Sequence, residues 1–273
     1  MVAYTIREIK AGRTPNPDIM CNSRVKFGAF VRTYGHKFDA IATGHYANVL
    51  PVENEYHLTV TPDLVKDQTY FLSHLKQEQL AQAIFPIGHY TKPEVRALAH
   101  EFDLVNKDRK DSQGICFLGK INFSDFIRSH VGIQKGNLVE IETETVMGEH
   151  DGFWFYTIGQ RQGIGLGGGP WYVVAKDTEK NIVYISRHYY APDKSRNELV
   201  ISDVNWIGSA PAVPGEYDIK LRHGPARHQG FVTDSGDGEY HIRLKDHDQG
   251  IAPGQVAVLY ADDRCLGAGF IRA

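Results

Sequence analysis

The spacing of apolar and polar positions divides the chain into two unlike parts. In the first ~130 residues, apolar positions recur at helical intervals between short apolar runs. Residues 19–34, "IMCNSRVKFGAFVRTY", are predicted to form one helix. "FDAIATGHYANVL" (38–50) is predicted as a strand running into a Gly-His turn. "KDQTYFLSHLKQEQLAQAIF" (66–85) has helical spacing at Tyr70, Leu72, Leu75, Leu80 and Ile84. "TKPEVRALAHEFDL" (91–104) begins with Thr91 as N-cap and Glu94 three residues later, the pattern of a capping box. Alternating strands and helices predict an α/β region with a mainly parallel sheet. After about residue 130 the helical pattern gives way to glycine and β-branched residues. "PWYVVAKDTEKNIVYISR" (170–187) is predicted as a hairpin. From about 197 onward, short strands recur at regular spacing and predict a small β-barrel or sandwich. There is no internal repeat and no low-complexity tract.

Length refines this picture. At 273 residues the chain exceeds one typical core, and boundaries are expected near 130 and 195: an α/β part at 1–130, a β-rich part at 131–195 and a terminal β-barrel at 196–273. The 42% apolar and 23% charged content is that of an ordinary globular chain, and no window reaches the ~18 apolar residues of a membrane span. "MVAYTIREIK" lacks a signal-peptide pattern, and three cysteines do not make a disulfide framework. A reducing, cytoplasmic setting is expected, in which a disulfide would be transient and catalytic. Net charge is −3, but residues 1–40 carry seven Lys/Arg (Arg7, Lys10, Arg13, Arg24, Lys26, Arg32, Lys37) against Glu8, Asp18 and Asp39, a local +4. Such a cluster suits a phosphate backbone; from charge alone a solvated helix face is the simpler reading.

The most specific chemistry lies in "TPNPDIMCN" (14–22). Two prolines fix their own φ and push Thr14 and Asn16 toward extended geometry. Asp18 is then expected as the N-cap of the following helix, with Cys21 at its third position, where the helix dipole favours thiolate. The stretch reads either as a stiff loop presenting an acid/base carboxylate and a reactive sulfur one turn apart, or as a capped helix with an inert core thiol. In "KDSQGICFLGK" (110–120), Cys116 sits between glycines that permit close approach, and Cys265 reads as a core residue. "GIGLGG" (163–168) matches a dinucleotide fingerprint in letters only, because no helix follows it. Gln160 and Arg161 are either RNA contacts or a polar interdomain loop. The dispersed histidines argue against a zinc site, and the lack of C-x-x-C spacing argues against a redox module.

Taken together, "GRTPNPDIMCN", "KFGAF", "IATGHYA", "KDQTYFL", "FPIGHYTKPEVR", "KDSQGICFLG", "GEHDGFWFYTIGQRQGIGLGGGPWYVVAKD", "VNWI" and "APGQVAVLY" followed by "CLGAGFI" run collinearly along nearly the whole chain. In these stretches the chain resembles the tRNA-specific 2-thiouridylases of the MnmA/TrmU type. The resemblance implies an adenine nucleotide alpha hydrolase-like catalytic domain, a β-rich central domain and a tRNA-binding barrel. It implies ATP, with Mg2+, to activate C2 of a tRNA wobble uridine, and a cysteine persulfide as the sulfur carrier. Cys116 matches the persulfide cysteine. Cys21 matches the partner thiol, called the nucleophile in that family, which closes the cycle through a transient disulfide. Asp18 matches the acid/base residue, and Asn16–Pro17–Asp18 the loop holding the flipped base. Gly44 matches an ATP contact. His45, the segment Lys66–Asp67–Gln68, and Arg222, His223 and Gln255 match tRNA contacts. The implied partners are a tRNA and a sulfur donor, either a cysteine desulfurase or a sulfur relay protein; the implied state is a monomer away from membranes. The family's "SGGVDSS"-type phosphate loop has no match in these residues. Two functions are therefore expected in competition, a tRNA-uridine 2-sulfurtransferase and a tRNA-binding fragment of one that does not activate the base. Exposed apolar edges and incomplete folding are expected within the first ~130 residues.

Overall fold

The structure, a computed structural model, describes residues 1–109, 122–191 and 196–272. The N-terminal region opens with helix α1 (Val2–Lys10), followed by a loop and α2 (Pro17–Met20). A π-helical stretch, Cys21–Ala29, then continues into α3 (Phe30–Tyr34). The predicted 19–34 helix is thus a single run of helix, with wider winding in its middle. Two strands, β1 (Ile41–Ala42) and a later β4 (Ala83–Ile84), pair in parallel, as the α/β reading requires. Phe38, Ile84, Phe30 and Tyr34 are exposed around them, the apolar exposure expected of this region.

The strand read at 38–50 is β1, which runs into the Gly44-His45 turn; beyond it β2 (Asn48–Val52) and β3 (Glu55–Thr59) form a hairpin that pairs with the C-terminal sheet, Leu58 opposite Cys265. One expectation is corrected here. The 66–85 segment is not one helix but α4 (Thr69–Leu72), α5 (Gln77–Leu80) and β4. Lys76 is extended (φ −97°, ψ 165°), which ends one helical turn and caps the next. Asn205 Nδ2 donates to the carbonyls of Ser73 (3.2 Å) and Leu75 (3.1 Å), supplying partners that a continuous helix would have provided. The apolar spacing still marks the interior: Tyr70, Leu72, Leu75 and Leu80 are buried, whereas Ile84 is not. Helix α6 (Lys92–Glu101) carries the predicted capping box, with Glu94 accepting from the Thr91 N–H at 2.7 Å. Helix α7 (Phe123–Val131) ends the region.

The central region is a four-stranded sheet of β5 (Gly136–Glu140), β6 (Thr145–His150), β7 (Tyr172–Asp177) and β8 (Ile182–Ser186), ordered β6-β5-β8-β7. The predicted 170–187 hairpin is its antiparallel β7–β8 pair. Six further strands follow: β9 (Glu198–Trp206), β10 (Gly215–Lys220), β11 (His228–Gly236), β12 (Glu239–Leu244), β13 (Val256–Ala261) and β14 (Arg264–Ile271). They close into an antiparallel barrel in the order β13-β10-β11-β12-β9-β14, with β14 pairing back to β13.

"VAVLY" (256–260) is apolar at every position because both faces of β13 are covered. Ala257 and Leu259 point into the barrel with Ile201, Ile219, Val232 and Ile242. Val256, Val258 and Tyr260 point outward and share a core with Ile19, Phe27, Tyr70, Leu72 and Leu75 of the N-terminal region. The barrel wall is therefore also the floor beneath the candidate site.

Candidate active site

The loop between α1 and α2 is shaped from three directions. Locally, Pro17 occupies the first turn of α2, and the side chain of Asn16 accepts from the Ile19 N–H at 3.4 Å. Asn16, not Asp18, is the N-cap. Cys21 lies correspondingly further into the helical run, and its N–H is already bonded to the Pro17 and Asp18 carbonyls, so it is not among the unpaired donors of the helix start. From the barrel, the Pro253 carbonyl accepts from the Thr14 N–H (2.9 Å), and Gln255 Nε2 donates to the Thr14 carbonyl (3.3 Å). The buried Tyr70 hydroxyl donates to the Val256 carbonyl (3.1 Å) and accepts from Asn16 Nδ2 (3.4 Å). From the central region, Thr157 Oγ1 meets Thr14 Oγ1 at 3.4 Å. Gly12 has φ +75°, and a Cβ there would lie 2.4 Å from Thr178 Cγ2. Only glycine fits that turn.

Asp18 and Cys21 follow one turn apart. Asp18 is half-buried, and Cys21 is 4% exposed at the first position of the π-helical stretch. Wider winding leaves carbonyls poorly served, and Gln79 supplies the missing donor: its Nε2 lies 2.8 Å from both the Ser23 and Phe27 carbonyls. Asn22 Nδ2 donates to the Phe71 carbonyl at 3.0 Å. Gln79 is not among the residues read from the sequence, and Tyr70 is read there only as an interior position. Their only signal there was membership of an amphipathic stretch.

Gly44 is exposed beyond β1, and a Cβ there would meet nothing within 4 Å, so its backbone is open to a ligand. His45 turns inward. Its ring lies between Phe27 and Phe85, centroids 6.1 and 5.6 Å away, with Nδ1 2.7 Å from Thr43 Oγ1. Burial, aided by the charge of Lys26, lowers its pKa to about 4, so the ring is neutral at pH 7.

In the 66–68 segment the three side chains are placed differently. Lys66 is half-buried. Asp67 is buried and ion-paired with Lys220 of β10, Nζ to Oδ2 3.0 Å, and it also accepts from Thr69 Oγ1 at 2.8 Å. Gln68 Oε1 accepts from the Tyr46 N–H (3.0 Å). The strand alternation of "EYDIKLRHG" would expose Lys220, but the N-terminal region covers that face. Just beyond β10, Arg222 pairs with Asp248, and His223 stacks on Phe71 with centroids 4.9 Å apart. Burial lowers the pKa of His223. Asp67 and the turn carrying Arg222 and His223 are thus one junction between the two regions.

Cys116 lies within 110–121, outside the described residues. Cys265 is fully buried, and burial pushes its thiol up to about 12, as a core residue requires. Gln160 bonds within its own loop, accepting from the Thr157 N–H (3.0 Å) and donating to the Gln162 carbonyl (2.9 Å). Among the described residues no group of three or more His, Cys, Asp or Glu is placed to hold a metal ion, and no helix is long and apolar enough to cross a membrane.

Residues 1–120 match the family model described as a tRNA methyl transferase HUP domain, 124–187 its PRC-barrel domain and 196–271 an aminomethyltransferase beta-barrel domain. A Parabacteroides distasonis protein named tRNA-specific 2-thiouridylase MnmA is 46% identical over 99% of this chain and 77% of its own length. The chain belongs to the tRNA-specific 2-thiouridylase family. A Porphyromonas gingivalis thiouridylase of the same name is 42% identical, and a Bacteroides fragilis one, MnmA 2, is 46% identical; each is covered over 78% of its length by 99% of this chain. Thiouridylase membership and the α/β, β-rich and barrel succession both agree with the resemblance read from the sequence.

Proposed function

We propose that this chain is a tRNA-uridine 2-sulfurtransferase whose reaction centre is the clamped loop 14–18 together with Cys21 and Cys116. The observation that supports this most directly is the loop itself. Thr14 is held by the barrel and the central region and Asn16 by Tyr70, which bonds in turn to the barrel backbone; this restrains the loop that leads into Pro17 and Asp18, the stiffness needed to hold an extruded base against a fixed nucleophile. Asp18 accepts or returns a proton at the base. The terminal sulfur of a Cys116 persulfide bonds to C2 of the activated uridine, and the C2–O bond breaks with AMP leaving. The Cys21 thiolate then attacks Cys116 Sγ. The Sγ–S bond breaks, its electrons pass to the sulfur retained as C2=S, and a Cys21–Cys116 disulfide remains for a reductant to open.

ATP supplies the leaving group. The open Gly44 backbone fits one edge of a nucleotide, and no described residues match a phosphate-wrapping loop, so base activation is not assigned to side chains here. A second reading is that the chain binds tRNA without turning it over. The substrate tRNA meets Lys66, Gln68, Arg222, His223 and Gln255 around the junction; Asp67 braces the Arg222–His223 turn through Lys220, and His45 is buried between Phe27 and Phe85. The sulfur reaches Cys116 from a persulfide-bearing donor protein. The test is 2-thiouridine, measured by nucleoside mass spectrometry after incubating the chain with tRNA, ATP and a desulfurase with cysteine. Thiolation lost in both Cys21→Ala and Cys116→Ala supports the enzyme. tRNA binding without thiolation supports the second reading, and neither binding nor thiolation refutes both.

A further inference from the structure

On the side of the helical run lined by Met20, Ser23 and Arg24, a cleft of about 690 Å3 opens between α1, the 74–79 turn and strands β9 and β14. It contains none of the residues assigned to the reaction centre. Its rim is cationic: Arg7, Arg13, Arg24, Arg32, Lys76 and Arg272 line it, against Glu8, Glu78 and Asp203. Glu8 is engaged by Arg7 (3.1 Å) and Arg13 (2.6 Å). Arg24, Arg32 and Lys76 have no ion-pair partner among the described residues.

The floor is different in kind. Tyr4, His74 and Ser202 line the cleft; the Tyr4 hydroxyl is turned to the Asn16 backbone, whereas both His74 ring nitrogens and Ser202 Oγ are buried with no hydrogen-bond partner among the described residues. Buried polar atoms are ordinarily paired, and three in one cleft point to a ligand that pairs them. Ser202 is only 3% exposed. Burial lowers the pKa of His74 to about 4, so at pH 7 its ring offers one donor and one acceptor. Phe270 supplies an aromatic wall, 5.1 Å from the His74 ring and 6.4 Å from Tyr4. The charge of Arg24 acts on both Tyr4 and His74, which ties the rim to the floor. The volume falls in the range of small-ligand pockets, ~300–1,000 Å3.

We infer that this cleft binds a nucleotide unit, its phosphate on Arg24, Arg32 and Lys76 and its base among Tyr4, His74, Ser202 and Phe270. A neutral floor with paired donor and acceptor beside an aromatic wall suits a base, and a rim of unpaired cations suits its phosphate. An inorganic anion would leave the floor unpaired, and an acidic peptide would not use it. The nucleotide comes either from an RNA strand or from solution. The RNA source rests on the tRNA reading above; the mononucleotide source does not.

The test titrates UMP and AMP into the full chain by calorimetry, and labelled tRNA by filter binding across a salt series, for the wild type, Arg24→Ala/Arg32→Ala, Ser202→Ala and Arg222→Ala. If the source is an RNA strand, the double variant binds tRNA about 10-fold more weakly, and its log-affinity against log-salt slope becomes shallower by about 1.4–1.8, two phosphate contacts. If the source is free nucleotide, UMP or AMP binds the wild type and is lost in the double variant and in Ser202→Ala. Ser202→Ala keeps the wild-type melting temperature, because it removes an unpaired buried hydroxyl. The inference is overturned if the double variant matches the wild type with all three ligands, or if no ligand binds the wild type. Weakening by Arg222→Ala alone would leave the tRNA reading standing while this one falls.

Discussion

Replacing Asp67 by asparagine leaves the Lys220 ammonium buried with its charge uncompensated. The two side chains are 1% and 3% exposed, and Nζ and Oδ2 are 3.0 Å apart. Asp67 also accepts from Thr69 Oγ1, which in turn meets the Tyr260 hydroxyl at 3.0 Å; asparagine keeps an oxygen for that contact but loses the charge. Water does not reach the site to replace the carboxylate. Breaking a buried pair from one side costs about 3–5 kcal/mol. For a protein of this size each kcal/mol corresponds to roughly 2–4 °C, so Asp67→Asn should melt roughly 6–20 °C below the wild type. Asp67→Asn/Lys220→Met removes both charges and should recover most of the loss, to within about 1.5 kcal/mol of the wild type. Urea unfolding of the three proteins, with a thermal scan as a second measurement, reads both values. A single variant losing less than about 1 kcal/mol, or a double variant no more stable than the single, would show that the pair does not fasten the barrel to the N-terminal region. Because Arg222 and His223 follow Lys220 by two and three residues, the single variant should also weaken tRNA binding, and the double variant should restore it in part.

Other perturbations probe separate parts of the architecture. Gly12→Ala places a Cβ 2.4 Å from Thr178 at φ +75°, and should cost about 1–3 kcal/mol in urea unfolding and lower thiolation with it. Tyr70→Phe leaves the Val256 carbonyl and Asn16 amide without their shared partner; a loss of about 1–2 kcal/mol in the same assay, with slower sulfur transfer, is expected. His45 has its pKa depressed from 6.5 to about 4, so between those values the unfolded chain binds the proton and the folded chain does not. Its contribution, roughly 3 kcal/mol, is fully present above pH 6.5 and lost as pH falls through about 4. Unfolding of His45→Gln from pH 7 to 4 should show a shallower decline than the wild type. Burial holds the Cys265 thiol near 12, so iodoacetamide at pH 8 should leave it unmodified in the native protein and label it in urea, as read by peptide mass spectrometry.

The parts of the fold visible in the sequence are those set by short-range rules. The Thr91/Glu94 capping box, the 170–187 hairpin and the barrel strands each follow from spacing within a few residues. The 66–85 segment departs from its helical spacing because that pattern records which side chains are buried, not how the backbone gets them there; Lys76 and Asn205 break and satisfy that backbone through a contact 130 residues away. The β2–β3 hairpin was missed for the same reason. Its partner strand is β14, and nothing near residue 50 announces it. Within the site, the prolines of "TPNPDIMCN" announced a stiff loop, but the cap fell to Asn16 because Pro17 already begins the helix.

Local restraint alone does not position that loop. Its prolines limit Thr14 and Asn16 to extended shapes, yet the direction in which the loop presents Asp18 and Cys21 is fixed by Pro253, Gln255 and Val256 at the barrel and by Thr157 and Thr178 in the central region. The same barrel wall carries Lys220, whose partner Asp67 lies just ahead of Tyr70. Any ligand that stabilises the barrel against the N-terminal region therefore also narrows the range of loop geometries. The coupling is reciprocal: a base gripped by the loop must favour the docked barrel by the same free energy. On the proposed assignment of tRNA contacts to Arg222 and His223 and of the base to Asp18, affinity at the first and geometry at the second are two readings of one interface, and a substitution at Asp67 is expected to change both.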